Sequence, residues 1–281
     1  MSANHAAFNL IFRFVENYIS PVAGRISSQR HVMAIRDGFI SAMPFMIVGS
    51  FLLVFAYPPF SPDTTWGFAR AWLDLAKEFE GRILTPFDMT MGIMSIYICA
   101  AISYNLGKHY EKAHQLDPFM CAMLSIMAFL LIAAPKTNGN LPVDSLGGTG
   151  IFTAILVAIY CVEMMRFLKA HNIGIRLPDQ VPPMIKNSFD LLIPVLVVVL
   201  TLYPLSLFIQ HHFDMLIPQA IMAIFKPLVS AADSLPAILL AVLIGHLLWF
   251  AGIHGAAIVS GMLQMFWLTN LGMNQQALAQ G

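Results

Sequence analysis

Charge is what this sequence has least of. Only 11% of its 281 residues are charged, against about 25% in an average soluble domain. The 15 basic and 15 acidic residues cancel, so no charge excess points to nucleic acid as a partner. There is no phosphate-binding glycine loop, no zinc-type histidine–glutamate motif and no serine elbow. No polar stretch is long enough to carry a soluble catalytic domain, and no internal repeat is evident. The cysteines are Cys99, Cys121 and Cys161, each inside an apolar run and none at metal-ligand or redox spacing. They read as small apolar packing residues, as do the 18 methionines, and no metal or cofactor is expected. The first residues lack a basic region followed by an apolar core, so no cleavable signal peptide is expected and the chain inserts through its own first span.

What is present is apolar sequence in long runs. Hydrophobic residues make up 58% of the chain and the mean hydropathy is +0.73, which places it in the membrane class. Within residues 1–37, Phe8, Leu10, Ile11, Phe14 and Val15 suit one face of an interfacial helix. The first span is read over 38–57, with Pro44 and Gly49 inside it and Pro58-Pro59 ending it. Residues 63–83 carry Trp66, Ala69, Trp72, Leu73, Ala76, Phe79 and Ile83 at helical spacing. Charged residues fill the other positions, which predicts a helix lying at the lipid–water boundary or packed on the protein's outer surface. Further spans are read over 90–106, 118–134, 146–164, 189–209 and 236–253. A polar link is expected at 107–114, a turn-rich loop at 136–145 and a basic, proline-rich loop at 166–188. Glu163 and Arg166 read as a pair near the interface. Asp179, Lys186 and Asp190 sit in a proline-rich context that suggests a fixed turn in place of a catalytic cluster. The adjacent His211 and His212 face different directions on a helix, which argues against a metal site. Residues 256–271 read as a re-entrant arm or the start of a further span. The fold class expected is therefore an all-α polytopic membrane protein with about six spanning helices, interfacial helices and a re-entrant segment near the C-terminal end.

Charge placement orients these spans. With a cytoplasmic N-terminus, ten of the 15 basic residues fall on inside segments, from Arg13 to Lys186. Arg70, Lys77, Arg82, Lys136 and Lys226 fall outside, an asymmetry that favours this orientation.

The most distinctive stretch is Trp249-Phe250-Ala251-Gly252-Ile253-His254-Gly255, at the end of the last span. Glycines on both sides of a histidine suit a helix break. At membrane depth such a break is tolerated only inside protein or beside a water-filled cavity. An ionisable residue there is a functional-site candidate. Trp249 offers a flat ring and His254 a hydrogen-bonding imidazole, a combination suited to a sugar; a packed histidine between two helices is the plainer reading. These residues alone specify a transporter-like membrane protein without a substrate.

Several segments carry a resemblance. They are Ile175-Arg176-Leu177-Pro178-Asp179-Gln180-Val181-Pro182-Pro183 with Ser188-Phe189, the Trp249–Gly255 stretch, Arg36-Asp37-Gly38-Phe39-Ile40-Ser41-Ala42-Met43-Pro44 and Gly92-Ile93-Met94-Ser95-Ile96. In this order the chain resembles the membrane (IIC) subunits of the bacterial phosphotransferase system, in the lactose, cellobiose and N,N′-diacetylchitobiose group. The resemblance implies a bacterial inner-membrane permease subunit that moves a disaccharide, coupled to phosphorylation by a soluble IIB phosphocysteine subunit that works with a IIA subunit. It implies a homodimer in the lipid bilayer, with a scaffold and dimerisation part over 1–210, an amphipathic linker over 211–235 and the start of a sugar-binding transport domain over 236–281. Carried over residue by residue, it implies that His254 hydrogen-bonds the sugar, Trp249 stacks on it and Gly255 supplies a backbone contact. His254 is expected to matter more than His246. None of the three thiols lies in a soluble loop, so the phosphoryl carrier is expected on another chain, and the phosphorylated sugar is too charged to return.

The family pattern also includes a glutamate in an Asn-Glu-Pro motif, which this sequence does not contain. On that ground the chain is expected to be a C-terminally truncated form. The alternatives are a non-transporting scaffold remnant, an ion-coupled transporter, which the lack of a mid-span carboxylate disfavours, and, more distantly, an intramembrane enzyme.

Overall fold

The computed structural model describes residues 13, 16–17, 20–136, 139–175, 180, 182, 189–250 and 255–280. The interfacial face expected from Phe8 to Val15 lies outside them, as do Asn138, residues 176–179, 181 and 183–188 of the proline-rich loop with Arg176, Asp179 and Lys186, and residues 251–254.

Among the described residues the regular elements are helical. In chain order they are α1 (Ser20–Ser27), α2 (Arg30–Ala56), α3 (Gly67–Asp88), α4 (Met94–His114), α5 (Pro118–Ala133), a 3₁₀ turn (Gly148–Gly150) running into α6 (Ile151–Ala170), α7 (Leu192–Phe213), α8 (Ile217–Ala232), α9 (Leu235–Phe250) and α10 (Gly255–Gln280). Among the described residues, three helical stretches are long and apolar enough to cross a membrane alone: α2, Gly148–Ala170 and α7. Helices α8 and α9 pass only as a pair, bent by 72° at their break. Helix α9 has 16 residues, about 24 Å at 1.5 Å per residue, which is short of a 30 Å hydrocarbon core. The last expected span is thus the second half of a broken or re-entrant element.

Helix α4 is the hub, packed against α2, α5 and α6. Its buried residues Met94, Ile98, Ile102, Leu106 and Tyr110 recur every four positions and form one continuous stripe. Two buried hydroxyls in the same helix are satisfied: Ser103 donates to the Cys99 carbonyl at 2.6 Å and Ser95 donates to the Gly147 carbonyl at 2.6 Å. Close approach of α2 depends on Gly38. A Cβ there would sit 2.9 Å from the Ile102 amide nitrogen and 3.0 Å from its Cα, so only glycine fits. Cys99, Cys121 and Cys161 are all free and buried in this bundle.

The stretch 107–114 differs from the expected link. It continues α4 as helix, and Gly107 and Tyr110 are buried. The helix stops at Gln115, whose φ of 51° is left-handed. Asp117 then caps α5, accepting from the Phe119 and Met120 amides at 2.9 and 3.2 Å, with Pro118 in the first turn. The true link is three residues long.

Helix α3 is the expected amphipathic helix. Ala69, Ala76 and Phe87 are buried. The Trp72 ring lies 5.6 Å from both Phe55 and Phe60 and 5.9 Å from Phe68, and its indole N–H donates to the Phe55 carbonyl at 3.2 Å. The Tyr57 hydroxyl donates to Glu80 at 2.9 Å, tying the end of α2 to α3. Burial first, then the hydrogen bond to Glu80 and its charge, push the Tyr57 phenol above its ordinary value, so it stays a donor at neutral pH.

The stretch 256–271 lies within the single helix α10, which continues to Gln280. This helix returns to the bundle through Gly272. A Cβ there would lie 2.8 Å from the Gly148 Cα, so two glycines meet backbone to backbone. Beside them, Phe152 of α6 stacks on Phe225 of α8 at 4.4 Å, and Phe266 of α10 closes the group at 5.5 Å. Asn270 donates to the Val229 carbonyl at 3.1 Å.

Candidate functional site

Helices α9 and α10 are successive antiparallel neighbours, and a cavity of about 550 Å³ lies between them. Its walls are Ala241, Val242, Gly245, His246 and Trp249 from α9, with Val259 and Trp267 from α10. The α9 residues follow helical spacing, since 242, 245, 246 and 249 share one face. Trp249 sits on the last turn and is 56% exposed. His246, which lines the cavity, donates from Nδ1 to the Val242 carbonyl at 2.8 Å.

Of the three residues singled out in the sequence, Trp249 lines this cavity and Gly255 opens α10. His254 lies outside the described residues. His246 and Trp267 join Trp249 at the same cavity and had not been singled out as site residues. The spacing of His246 three positions before Trp249 was the available signal. For Trp267 there was none, because its place depends on how α10 folds back. The lining holds two indoles and one imidazole and, among the described residues, no carboxylate and no cation. Such a wall can stack on an apolar ring face and exchange hydrogen bonds with hydroxyls.

A second polar centre joins three helices of the bundle. The Glu163 carboxylate of α6 accepts from Arg166 Nε at 2.6 Å and from the Tyr110 hydroxyl of α4 at 2.7 Å, and pairs with His31 Nε2 of α2 at 2.9 Å. The Arg30 and Arg166 guanidinium groups lie 5.5 and 5.3 Å from the Tyr110 ring centre. The expected Glu163–Arg166 pair is thus the core of a network joining three helices. Nearby, Lys169 pairs with Asp190 at 2.8 Å and donates to the Gln115 carbonyl at 2.9 Å, so the contact of Asp190 is with α6. Asp179 and Lys186 lie outside the described residues.

Residues 36–281 match the family described as Phosphotransferase system, EIIC. The cellobiose-specific EIIC component of the phosphotransferase system of Geobacillus stearothermophilus is 33% identical over 285 residues, covering 95% of this chain and 61% of that protein. The lichenan permease IIC component of Bacillus subtilis is 30% identical, with coverages of 97% and 62%. The lactose-specific EIICB component of Streptococcus mutans is 32% identical, with coverages of 93% and 45%. The crystal structure of the transporter ChbC, the IIC component of the N,N′-diacetylchitobiose-specific system, superposes with a TM-score of 0.82 at 33% identity, covering 96% of this chain and 64% of that one. The chain therefore spans less than two thirds of the length of these relatives. With the all-helical fold and its apolar spans, these matches carry one conclusion: this chain belongs to the EIIC family of the phosphotransferase system, whose members are membrane proteins.

Proposed function

We propose that the chain serves as a permease component for a disaccharide of the cellobiose, lactose or N,N′-diacetylchitobiose type, coupled to phosphorylation of the sugar by a separate IIB phosphocysteine subunit with its IIA partner. The observation that carries this reading is the cavity between α9 and α10, walled by Trp249, Trp267 and His246 in a chain one third identical to a cellobiose-specific EIIC component. Trp249 stacks on the sugar, His254 hydrogen-bonds it and Gly255 contributes backbone; His246 and Trp267 complete the wall. The bundle of α2, α4, α5 and α6 is the scaffold and the dimerising part, within 1–210. Residues 211–235, with α8, form the linker. Residues 236–281, with α9 and α10, begin the sugar-carrying part.

The N-terminus faces the cytoplasm in this reading. The start of α2 and the ends of α4 and α6 meet at the Glu163 network, so Arg30, Lys112, Arg166 and Lys169 belong to one end of the bundle. That shared basic end supports a cytoplasmic assignment.

The test is phosphorylation of cellobiose by membranes carrying the chain, supplied with soluble IIA and IIB components and the soluble proteins that pass the phosphoryl group from phosphoenolpyruvate to IIA. Sugar phosphate formation that Trp249→Ala reduces at least tenfold is the expected result. Sugar uptake driven by an ion gradient without phosphorylation would overturn the reading, and so would stable dimers that neither bind sugar nor respond to His254→Ala. The second outcome favours a non-transporting scaffold.

A further inference from the structure

The loop after α2 and the first half of α3 enclose a second cavity, of about 460 Å³, unconnected with the sugar reading. Its floor is apolar: Ala56, Pro58, Pro62, Leu73 and Ala76. Its rim carries Arg70, Asp74, Lys77 and Glu80, all on one stripe of α3 because they are spaced by four, three and three. Glu80 is engaged by the Tyr57 hydroxyl. Arg70, Asp74 and Lys77 take part in none of the ion pairs among the described residues. Two cations and two carboxylates thus face one hollow of small-molecule size.

The surroundings say where the hollow lies. Trp66, Phe68, Phe60, Trp72 and Phe55 form a continuous aromatic group beside it, with ring centres 5.3 to 5.9 Å apart. Trp66 and Phe68 are more than half exposed. Exposed tryptophans on an amphipathic helix mark the headgroup level of a bilayer. A free anion there would meet Asp74 and Glu80, and a free cation would meet Arg70 and Lys77. A ligand carrying both charges a few atoms apart, with an acyl body lying along the aromatic group, satisfies all four.

We infer that this cavity binds the headgroup of a zwitterionic phospholipid with a primary ammonium, of the phosphatidylethanolamine type. The phosphate diester takes Arg70 and Lys77 as donors. The ammonium donates to Asp74 and to the carboxylate oxygens of Glu80. A quaternary ammonium has no N–H to give, so a choline headgroup keeps the charge and loses the hydrogen bonds.

The experiment is native mass spectrometry of the full chain released from detergent after exchange into phosphatidylethanolamine, phosphatidylcholine or phosphatidylglycerol of identical acyl chains. The unmodified protein is expected to retain phosphatidylethanolamine over either other lipid by about tenfold, equivalent to about 1.4 kcal/mol. The double variant Arg70→Gln/Lys77→Gln is expected to lose that retention, and Asp74→Asn to lose the preference for phosphatidylethanolamine over phosphatidylglycerol. Equal retention of all three lipids by the unmodified protein would overturn the inference, and this reading needs no variant to fold. Preference for phosphatidylglycerol would overturn the paired-charge recognition. A preference for phosphatidylethanolamine that survives both variants would move the site elsewhere. Displacement of the lipid by cellobiose would identify a sugar-binding hollow instead and overturn the lipid assignment.

Discussion

Helices α6 and α7 follow one another, and both are long and apolar enough to cross a membrane. Yet 61% of the most apolar stretch through α6 is buried inside the protein and only 17% of that in α7. The difference lies in surroundings, not in hydrophobicity. Helix α6 packs Ala154, Ala158 and Cys161 against α4 and α5, with close contacts that small residues allow. Helix α7 turns Leu196, Leu200, Leu207 and Phe208 outward. In lipid an outward leucine costs nothing, so apolarity marks a span without saying what covers it. The same contrast divides the molecule. The bundle of α2, α4, α5 and α6 is held by small-residue contacts and a carboxylate network. The arm from α7 to α10 is held to it by the Gly148–Gly272 contact and the Phe152 group, and Asn270 ties α10 to α8 within the arm.

The contrast breaks most visibly at Gly38. Gly38→Leu places its side chain against the Ile102 backbone, which cannot move without shifting α4. A loss of about 3 kcal/mol or more is expected, read as a collapse of the monodisperse peak in size-exclusion chromatography. A folded Gly38→Leu protein with unchanged melting temperature would show that α2 and α4 are not pressed together as described.

Next in size is Glu163→Ala. It strands Arg166 and removes the partner of His31 and Tyr110, with the carboxylate only 24% exposed. Breaking a fully buried pair costs about 3–5 kcal/mol. Partial exposure brings the expectation down to about 2 kcal/mol, measured as a lower melting temperature in detergent. Glu163→Gln keeps the shape and an acceptor and is expected to lose less. Equal losses for the two substitutions would mean that charge, not the shared acceptor, holds the three helices.

This network also shows where sequence reading stops. The spans were legible because apolar runs of adequate length have few other uses. Their ends were not, because a helix does not stop where the apolar run stops. Tyr110 lies three residues beyond Gly107 in a polar stretch and is 4% exposed, held by Glu163 and the two arginines. Glu163 and Arg166 were legible as a pair because three residues separate them; His31 is 132 residues away, and no local pattern announces such a contact. The site divides in the same way. Trp249, at the end of an apolar run before an expected break, was a candidate in the sequence and lines the cavity; Gly255 is placed only as the first residue of α10. His246 was visible but ranked below His254, and Trp267 reaches the cavity only because α10 runs back along α9.

In the arm, substitutions are expected to cost binding and not stability. Trp249→Ala removes a ring that is more than half exposed, so the fold loses little. Loss of one stacking face, about 1.5 kcal/mol, corresponds to about tenfold in sugar affinity. His254→Ala is expected to weaken cellobiose binding more than His246→Ala, whose Nδ1 is already committed to the Val242 carbonyl. Titration calorimetry with cellobiose decides the order. Equal losses for both histidines would spread the site along α9 in place of centring it on the α9–α10 junction.

The smallest effect is expected at Gly245, and it is the sharpest complement to Gly38. Both are glycines inside apolar helices, and both face another helix. At Gly38 an added Cβ meets backbone; at Gly245 the nearest atom is the Val259 side chain at 3.8 Å, an ordinary contact. Glycine in a helix interior carries a penalty of about 0.5–1 kcal/mol relative to alanine, because its unfolded chain is freer. At Gly245 nothing opposes that gain, so Gly245→Ala is expected to raise the melting temperature slightly or leave it unchanged. The added methyl faces the cavity between α9 and α10, so a modest weakening of cellobiose binding is expected with it. Two outcomes in opposite directions, stability kept and affinity reduced, distinguish a cavity wall from a packed interface. A destabilisation at Gly245 comparable to that at Gly38 would mean that α9 and α10 close on each other as tightly as α2 and α4, leaving no room between them for a sugar.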